Sequence, residues 1–486
     1  MGTTHTLDMI EMMDTRQDDP MTARRPALDD DYERARQRHL QAFLARVPGE
    51  VEKLAWPLER LHAVRDARLR ALVRTAKERS PWHARRLRHV DPATLRGDDL
   101  SAIPPMTRAD LMAHWDEIVT DHRLTLDGAN QHLARVAAHG PAYLHDAYHV
   151  VASGGSTGRR AVFAWDFEGW LQSQLILARH IGWLARQVGA PPLQRIASVL
   201  SANETHMSGA IMRTFAGQVG ANVTLSVTLP VPDIVARLNA YQPDTLYSYP
   251  STLHRLALEA QAGRLRIAPR ALAVAAEPLL PEARQAIEET FAAPLLNSYA
   301  CSEGGLIAWS HPGSPGLHLV EDSAVYEPVD ARNRPVATGA PAATLLVTNV
   351  INQALPLIRY EVTDELTLLA ESNPGPWTGR RISEVQGRLD DHFSYAGGVD
   401  VHPHVFRSVL ASVPEVTEYQ VRQTARGAAI AVQAVSAPDL APVRDKISAA
   451  LTRLGLADPE VDITRVERLA RLAGTGKLKR FVAQAA

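Results

Sequence analysis

Apolar positions along the chain set the first expectations. Between Tyr32 and Ser80 the sequence is rich in Leu, Ala, Arg and Glu, and Leu58, Leu61, Leu69, Leu72 and Val73 share one helical face, with Val64 at its edge. Pro81 stops that helix. Ile103-Pro104-Pro105 marks a turn, and Thr107 reads as the N-cap of a helix beginning Arg108-Ala109-Asp110-Leu111. Residues 165–187 carry the pattern of a long amphipathic helix, and 196–200 that of a buried strand. Helix and strand patterns then alternate over 211–219, 223–227, 233–241, 245–249, 253–262, 271–275, 281–290 and 295–299. That alternation predicts an α/β protein with largely parallel sheets flanked by helices. From 317 to 369 the runs become short and β-rich, as at 344–348 and 365–369, and predict an antiparallel or barrel-like appendage. The last hundred or so residues, after Gly387-Arg388-Leu389-Asp390-Asp391, are long enough for a small α+β domain. The expected division is a disordered segment over 1–30, a large domain over 31–389 and a small mobile domain over 390–486.

Composition narrows the function classes. A chain of 486 residues with 45% hydrophobic and 22% charged residues is that of a soluble globular protein of roughly two to four domains. Lys+Arg 52 against Asp+Glu 54 leaves a net charge of −2, so no overall attraction to nucleic acid or to anionic membrane is expected. The single cysteine, Cys301, excludes an intramolecular disulfide framework and a multi-cysteine zinc site, and fits a reducing compartment. No apolar run of about 18 residues occurs, and the first 30 residues lack the apolar stretch of a signal peptide. The expected location is the cytoplasm, and Met21 can serve as a start as well as Met1.

Several stretches can carry chemistry. Val150-Val151-Ala152-Ser153-Gly154-Gly155-Ser156-Thr157-Gly158-Arg159-Arg160 leads two β-branched residues into small residues and then two arginines. Glycines let such a loop curl, and the hydroxyls of Ser153, Ser156 and Thr157 with free backbone N–H groups can line an anion site. By composition alone it is equally an ordinary turn, and no G-x-x-x-x-G-K-[ST] can be drawn through it. Asn297-Ser298-Tyr299-Ala300-Cys301-Ser302-Glu303-Gly304-Gly305 places an aromatic ring at a strand end near a carboxylate, suited to stacking a base and holding Mg2+, or simply to a solvated turn. Leu357 to Glu365 contains a carboxylate suited to a ribose diol, although acidic turns are common. Gly474-Thr475-Gly476-Lys477-Leu478-Lys479-Arg480 is a basic segment near the C-terminus, where a solvated face is the ordinary account. His145-Asp146-Ala147-Tyr148-His149 has the i, i+4 spacing of a zinc pair but suggests no third ligand. His402-Pro403-His404 reads as surface, and Cys301, with no neighbouring histidine, as a small residue lining its loop.

In this order and at these separations the stretches resemble the adenylate-forming superfamily, and within it the phenylacetate–CoA ligase-like branch. The resemblance runs from Leu72-Val73-x5-Arg79-Ser80-Pro81-Trp82 to Lys477. The glycine-rich loop is similar to the family's S/T-S/T-G-S/T-T-G-K-P signature, with Gly154 in place of a hydroxyl residue, Arg159 in place of lysine and Arg160 in place of proline. The resemblance implies that Ser153, Gly154, Gly155, Ser156, Thr157 and Gly158 hold the ATP phosphates. It implies an adenine-site segment Ala276-Glu277-Pro278, with Tyr299 stacking on the base and Ser302 in the nucleotide site. Glu303 would be the Mg2+ ligand, Asp364 and Arg388 would contact the ribose, and Asp390 would be a hinge. Lys477 would bridge carboxylate and α-phosphate, joining Glu303 and Arg388 as catalytic residues. By position alone, His206, Tyr249, Ala300 and Gly304 would wall the acid pocket, and Gly397-Gly398 would flank the acceptor's path. The implied activity is ATP-dependent activation of a small carboxylic acid, aryl or related, as acyl-AMP, with coenzyme A as the acceptor. Transfer to an amine or a carrier protein, or loss of catalysis with nucleotide binding kept, are the alternatives. The residues leave a homodimer open.

Overall fold

The computed structural model describes residues 30–153, 161–187, 195–200, 205–214, 221–227, 229–311, 313–370, 379–385, 392–401, 403–410, 413, 415–434, 436–472 and 478–484. Two helices, Asp30–Glu52 and Leu58–Arg79, open it. Leu61, Leu69, Leu72 and Val73 are buried on the face expected of them. Pro57, extended at ψ 153°, separates the two helices. Pro81 does not merely stop the second helix. It opens the helix Pro81–Arg86, whose N-cap Ser80 accepts from the His83 amide. Thr107 caps Arg108–Ala113 with a full capping box through Asp110.

The core is an eight-stranded mixed sheet. Leu295–Cys301, Ala271–Ala275, Thr245–Ser248, Arg195–Leu200 and Ala221–Ser226 lie side by side and parallel. Gly305–His311, Ser314–Leu319 and Arg381–Ile382 extend one edge antiparallel. These are the strands the alternation predicts, connected by the helices Met207–Thr214, Val231–Tyr241, Pro250–Gln261 and Pro281–Phe291. The β-rich stretch is antiparallel as expected. Among the described strands it forms a three-stranded sheet of Ala324–Val329, Thr344–Asn349 and Tyr360–Val362 and a separate pair, Pro341–Ala342 with Leu366–Thr367, with no closed ring.

One local reading differs from the structure. The long helix expected from Trp165 starts at Phe167, and Val162–Trp165 is a strand paired antiparallel with His149–Ala152. Ala161 to Trp165 are all at most 1% exposed, and a short apolar run buried all round has no period to tell strand from helix. Asp166 marks the change, its Oδ1 accepting from the Gly169 amide at 2.7 Å in the helix's first turn.

The C-terminal part has its own apolar cluster, from Phe393 through Phe406, Tyr419, Ile430 and Ile447 to Phe481. Four of its described strands form one sheet in the order Glu460–Arg465, Gly427–Ala434, Val416–Thr424, Phe481–Val482, with helices His404–Leu410 and Ala441–Arg453, and Phe393–Tyr395 pairs separately with Val399–Val401. No helix among the described residues is long and apolar enough to cross a membrane.

Candidate nucleotide and acid site

Ligands of open α/β sheets gather outside the carboxyl ends of the parallel strands. Two adjacent ends here carry candidate residues. Ala275 pairs with Ser298, so the turn Ala276-Glu277-Pro278 leaves the sheet beside Tyr299. Ala276 sits at φ +70°, in the left-handed region that costs a Cβ-bearing residue about 1–2 kcal/mol. Its side chain is exposed, so nothing is lost by removing the methyl group. Ala276→Gly is expected to stabilise the protein by about 0.5–1 kcal/mol, the relief exceeding glycine's extra unfolded-state entropy. An unchanged or lowered urea midpoint would contradict this.

Tyr299 and Asp364 meet, although 65 residues separate them: the phenol donates to Asp364 Oδ2 at 2.6 Å, and Asp364 is 3% exposed. Four residues after Tyr299, Glu303 occupies the turn between Leu295–Cys301 and Gly305–His311. That turn is fixed at its base, where the Glu303 carbonyl accepts from Asn349 Nδ2 at 3.0 Å and the Gly304 amide donates to Cys301 Sγ at 3.2 Å. Burial pushes the Cys301 thiol well above its ordinary value, and the nearby Glu303 carboxylate adds to this. A thiol held protonated is a poor nucleophile, in keeping with a packing role. Burial, then Glu303, likewise raises the Tyr360 phenol.

The strands that flank the glycine-rich stretch, His149–Ala152 and Val162–Trp165, pair antiparallel, so a strand and not a helix follows it. At its base the Ser153 amide donates to the Ala161 carbonyl at 2.9 Å, and the Ala161 amide donates to Ser153 Oγ at 3.0 Å. His206 Nδ1 lies 3.0 Å from the Ala152 carbonyl, and the Ala152 amide donates to the Thr205 carbonyl at 2.8 Å, so His206 stands at the loop's mouth. Gly154, Gly155, Ser156, Thr157 and Gly158, together with Arg388, Asp390 and Lys477, lie outside the described residues.

Other candidates fall elsewhere. Tyr249 is 1% exposed in the core of the parallel sheet and offers a ligand almost no surface in this arrangement. Ala300 is exposed, and Ser302 and Glu303 are half-buried. Gly397 and Gly398, at φ +82° and +77°, turn the hairpin between Phe393–Tyr395 and Val399–Val401, which accounts for both glycines on conformational grounds. His145 is in a left-handed turn bonded to the Arg123 carbonyl, while His149 is stacked on Trp170, so the pair does not converge on a metal. Among the described residues no three His, Cys, Asp or Glu side chains form a metal cluster. A single half-buried carboxylate such as Glu303 nonetheless suits Mg2+, which keeps several waters and is shared between one or two carboxylates and substrate phosphates. The sequence reading missed Asn349. Its signal is a polar side chain ending the apolar run Thr344–Asn349, 1% exposed, where it must find a partner.

No protein-family model matches the chain. It is 26% identical over 390 residues to a phenylacetate–coenzyme A ligase of Thermus thermophilus, covering 76% of this chain and 80% of that one. A phenylacetate–coenzyme A ligase of Pseudomonas putida is 29% identical over 192 residues, 38% of this chain and 42% of the relative. Among solved structures, 2-hydroxyisobutyryl-CoA ligase in the postadenylation state with R3-HIB-AMP superposes with a TM-score of 0.67 at 17% identity, covering 89% of this chain and 91% of that one. Over four-fifths of one such ligase the chain is similar in sequence to phenylacetate–coenzyme A ligases, and it shares the fold of an acyl-CoA ligase of the adenylate-forming type.

Proposed function

We propose that the protein is an AMP-forming carboxylate ligase that activates a small acid with ATP and transfers the acyl group to coenzyme A. The observation that carries this reading is the Tyr299–Asp364 hydrogen bond at the carboxyl edge of the parallel sheet. A flat ring and a carboxylate held side by side would offer a nucleoside a stacking face and a diol acceptor. In the first half-reaction a carboxylate oxygen attacks the α-phosphorus and pyrophosphate leaves. In the second, the thiolate sulfur attacks the acyl carbon and AMP leaves. Glu303 would hold Mg2+, which supplies positive charge to the phosphates when bound. Ser153 to Gly158 would cradle the phosphates, Arg388 would contact the ribose, and Lys477 would meet the charge developing between acid and α-phosphate. The reading divides the chain at 389/390 with Asp390 as a hinge. The separate apolar cluster from Phe393 to Phe481 supports that division. Aryl acids are the first to try, given the phenylacetate ligases among the relatives.

Carboxylate-dependent ATP–pyrophosphate exchange across a panel of acids is the test. Exchange with at least one acid and formation of AMP are expected. Release of ADP, or no exchange from folded protein that binds ATP, overturns the reading. Mass spectrometry of a single turnover identifies the acceptor: acyl-AMP consumed by coenzyme A is expected. Acyl-AMP inert to coenzyme A but consumed by an amine or a carrier protein replaces that half of the proposal.

A further inference from the structure

Two backbone amides 227 residues apart in the chain, those of Ser251 and Leu478, converge on Glu277. Ser251 is in the first turn of the helix Pro250–Gln261, where N–H groups have no acceptor within the helix, and its amide donates to Glu277 Oε2 at 3.1 Å. The Leu478 amide donates to Glu277 Oε1 at 2.9 Å. Leu478 is 7% exposed, and the residues after it are fixed to the C-terminal sheet. The Lys479 carbonyl accepts from Gln420 Nε2 at 2.8 Å, the Arg480 carbonyl accepts from the Val421 amide at 2.7 Å, and Phe481–Val482 pairs with Val416–Thr424. A second contact reinforces the first. Arg471 donates to Ser251 Oγ at 3.2 Å while its other amino group bridges both oxygens of Glu418, a strand residue of the same sheet, at 2.9 and 3.0 Å. One helix N-terminus thus seats the C-terminal part at two points, and Glu277 joins them.

We propose that Glu277 is a positioning residue for the first half-reaction, seating the terminal segment that begins at Leu478, next to Lys477, beside the strand ends that carry Tyr299 and Glu303. This rests on the acid-activating reading above, and it gives Glu277 a role other than contact with the adenine. Both of its oxygens already accept main-chain donors. A carboxylate is also favourable at a helix N-terminus. The contact belongs to one orientation of the C-terminal part, so it bears on the half-reaction run in that orientation and not on the other.

The test separates the two half-reactions in Glu277→Ala and Glu277→Gln. Acyl-AMP formation in a single turnover is expected to fall by about 10- to 100-fold in Glu277→Ala, the loss of a charge-assisted hydrogen bond. The fall should be smaller in Glu277→Gln, whose amide oxygen keeps one acceptor. The KM for ATP should be nearly unchanged, and transfer from supplied acyl-AMP to coenzyme A should stay near the wild-type rate. Hydrogen–deuterium exchange of the peptide spanning Leu478 to Arg480 should quicken in Glu277→Ala. A raised KM for ATP with kcat kept would make Glu277 a nucleotide contact and overturn the proposal. Equal slowing of both half-reactions would make it merely structural and overturn it too. If the wild type forms no acyl-AMP from any acid, the functional reading fails first. The exchange experiment then decides the seat alone, and unchanged protection of Leu478 overturns it.

Discussion

Lys477→Ala is expected to slow acyl-AMP formation by about 10²- to 10³-fold, the usual loss for one well-placed donor to a developing charge. The same variant, given synthetic acyl-AMP, should still transfer the acyl group at close to the wild-type rate. The expectation starts from Gly474-Thr475-Gly476-Lys477-Leu478-Lys479-Arg480, in which two glycines precede the lysine. Leu478, its neighbour, has its amide on Glu277 at 2.9 Å, so the segment reaches the sheet edge that carries Tyr299. On the proposed reading, the Lys477 ammonium would meet carboxylate and phosphate oxygens only while this docking holds, which is why one half-reaction should suffer alone. Lys479→Ala is the control. The Lys479 main chain is held by Gln420, on the C-terminal sheet, and no contact with the strand ends that carry Tyr299 is needed to hold it there. It should change acyl-AMP formation little. If Lys479 proves essential and Lys477 dispensable, the register of the motif is off by two. If Lys477→Ala slows both steps equally, the two orientations do not divide the chemistry.

How much of this can be read from the chain follows from the range over which each signal acts. Thr107 with Asp110 is a local signal, three residues long, and the helix begins where the pair says. The parallel strands are short apolar runs between amphipathic helices and are legible one by one, but their order is not: Ala221–Ser226 lies at the sheet edge beyond Arg195–Leu200, so the chain crosses over that strand to reach Thr245–Ser248. Val162–Trp165 escapes such a reading because four residues buried on all sides carry no period. The site needs two kinds of knowledge. Tyr299, Glu303 and Asp364 stand out by residue type and by likeness to a family, yet nothing within either segment says that Tyr299 and Asp364 touch. Glu277 shows the same limit in sharper form. The residue is visible in the sequence, but its partners Ser251 and Leu478, 26 residues before it and 201 after it, are properties of the folded chain.

Arg179→Met is expected to cost about 3–5 kcal/mol, because it strands buried carboxylates without their cation. Arg179 is fully buried in the helix Phe167–Gln187 and donates to both oxygens of Asp322, at 2.9 and 2.8 Å, and to Glu50 of the first helix. The network ties the N-terminal helices to the loop that follows Ser314–Leu319. Lys53 lies 2.6 Å from Glu50 and 3.7 Å from Asp322, and Arg68 Nη1 lies 3.9 Å from Asp322. Those cations remain in the variant, which places the cost towards the lower end. Beside this set, Glu321 accepts from Arg380 at 2.8 Å and faces His62 at 3.3 Å. Burial works to raise both carboxylic acids. The contacts with His62 and Arg380 outweigh it at Glu321, leaving it at about 2, and Arg179 outweighs it at Asp322, which is held well below the usual carboxylate range. A depressed folded-state value stabilises above the unfolded value of about 4 and loses that contribution as pH falls through the folded value. Wild-type stability should therefore drop steeply between about pH 4 and pH 2, and the drop should be shallower in Arg179→Met, whose Asp322 has lost its main partner. Urea unfolding followed by tryptophan fluorescence reads both effects. Replacing the pair together, as Arg179→Met with Asp322→Leu, should recover part of the loss, since no carboxylate is then left opposite a missing guanidinium. A single variant within about 0.5 kcal/mol of wild type at neutral pH would mean that the network contributes nothing beyond what ordinary surface substitutions change.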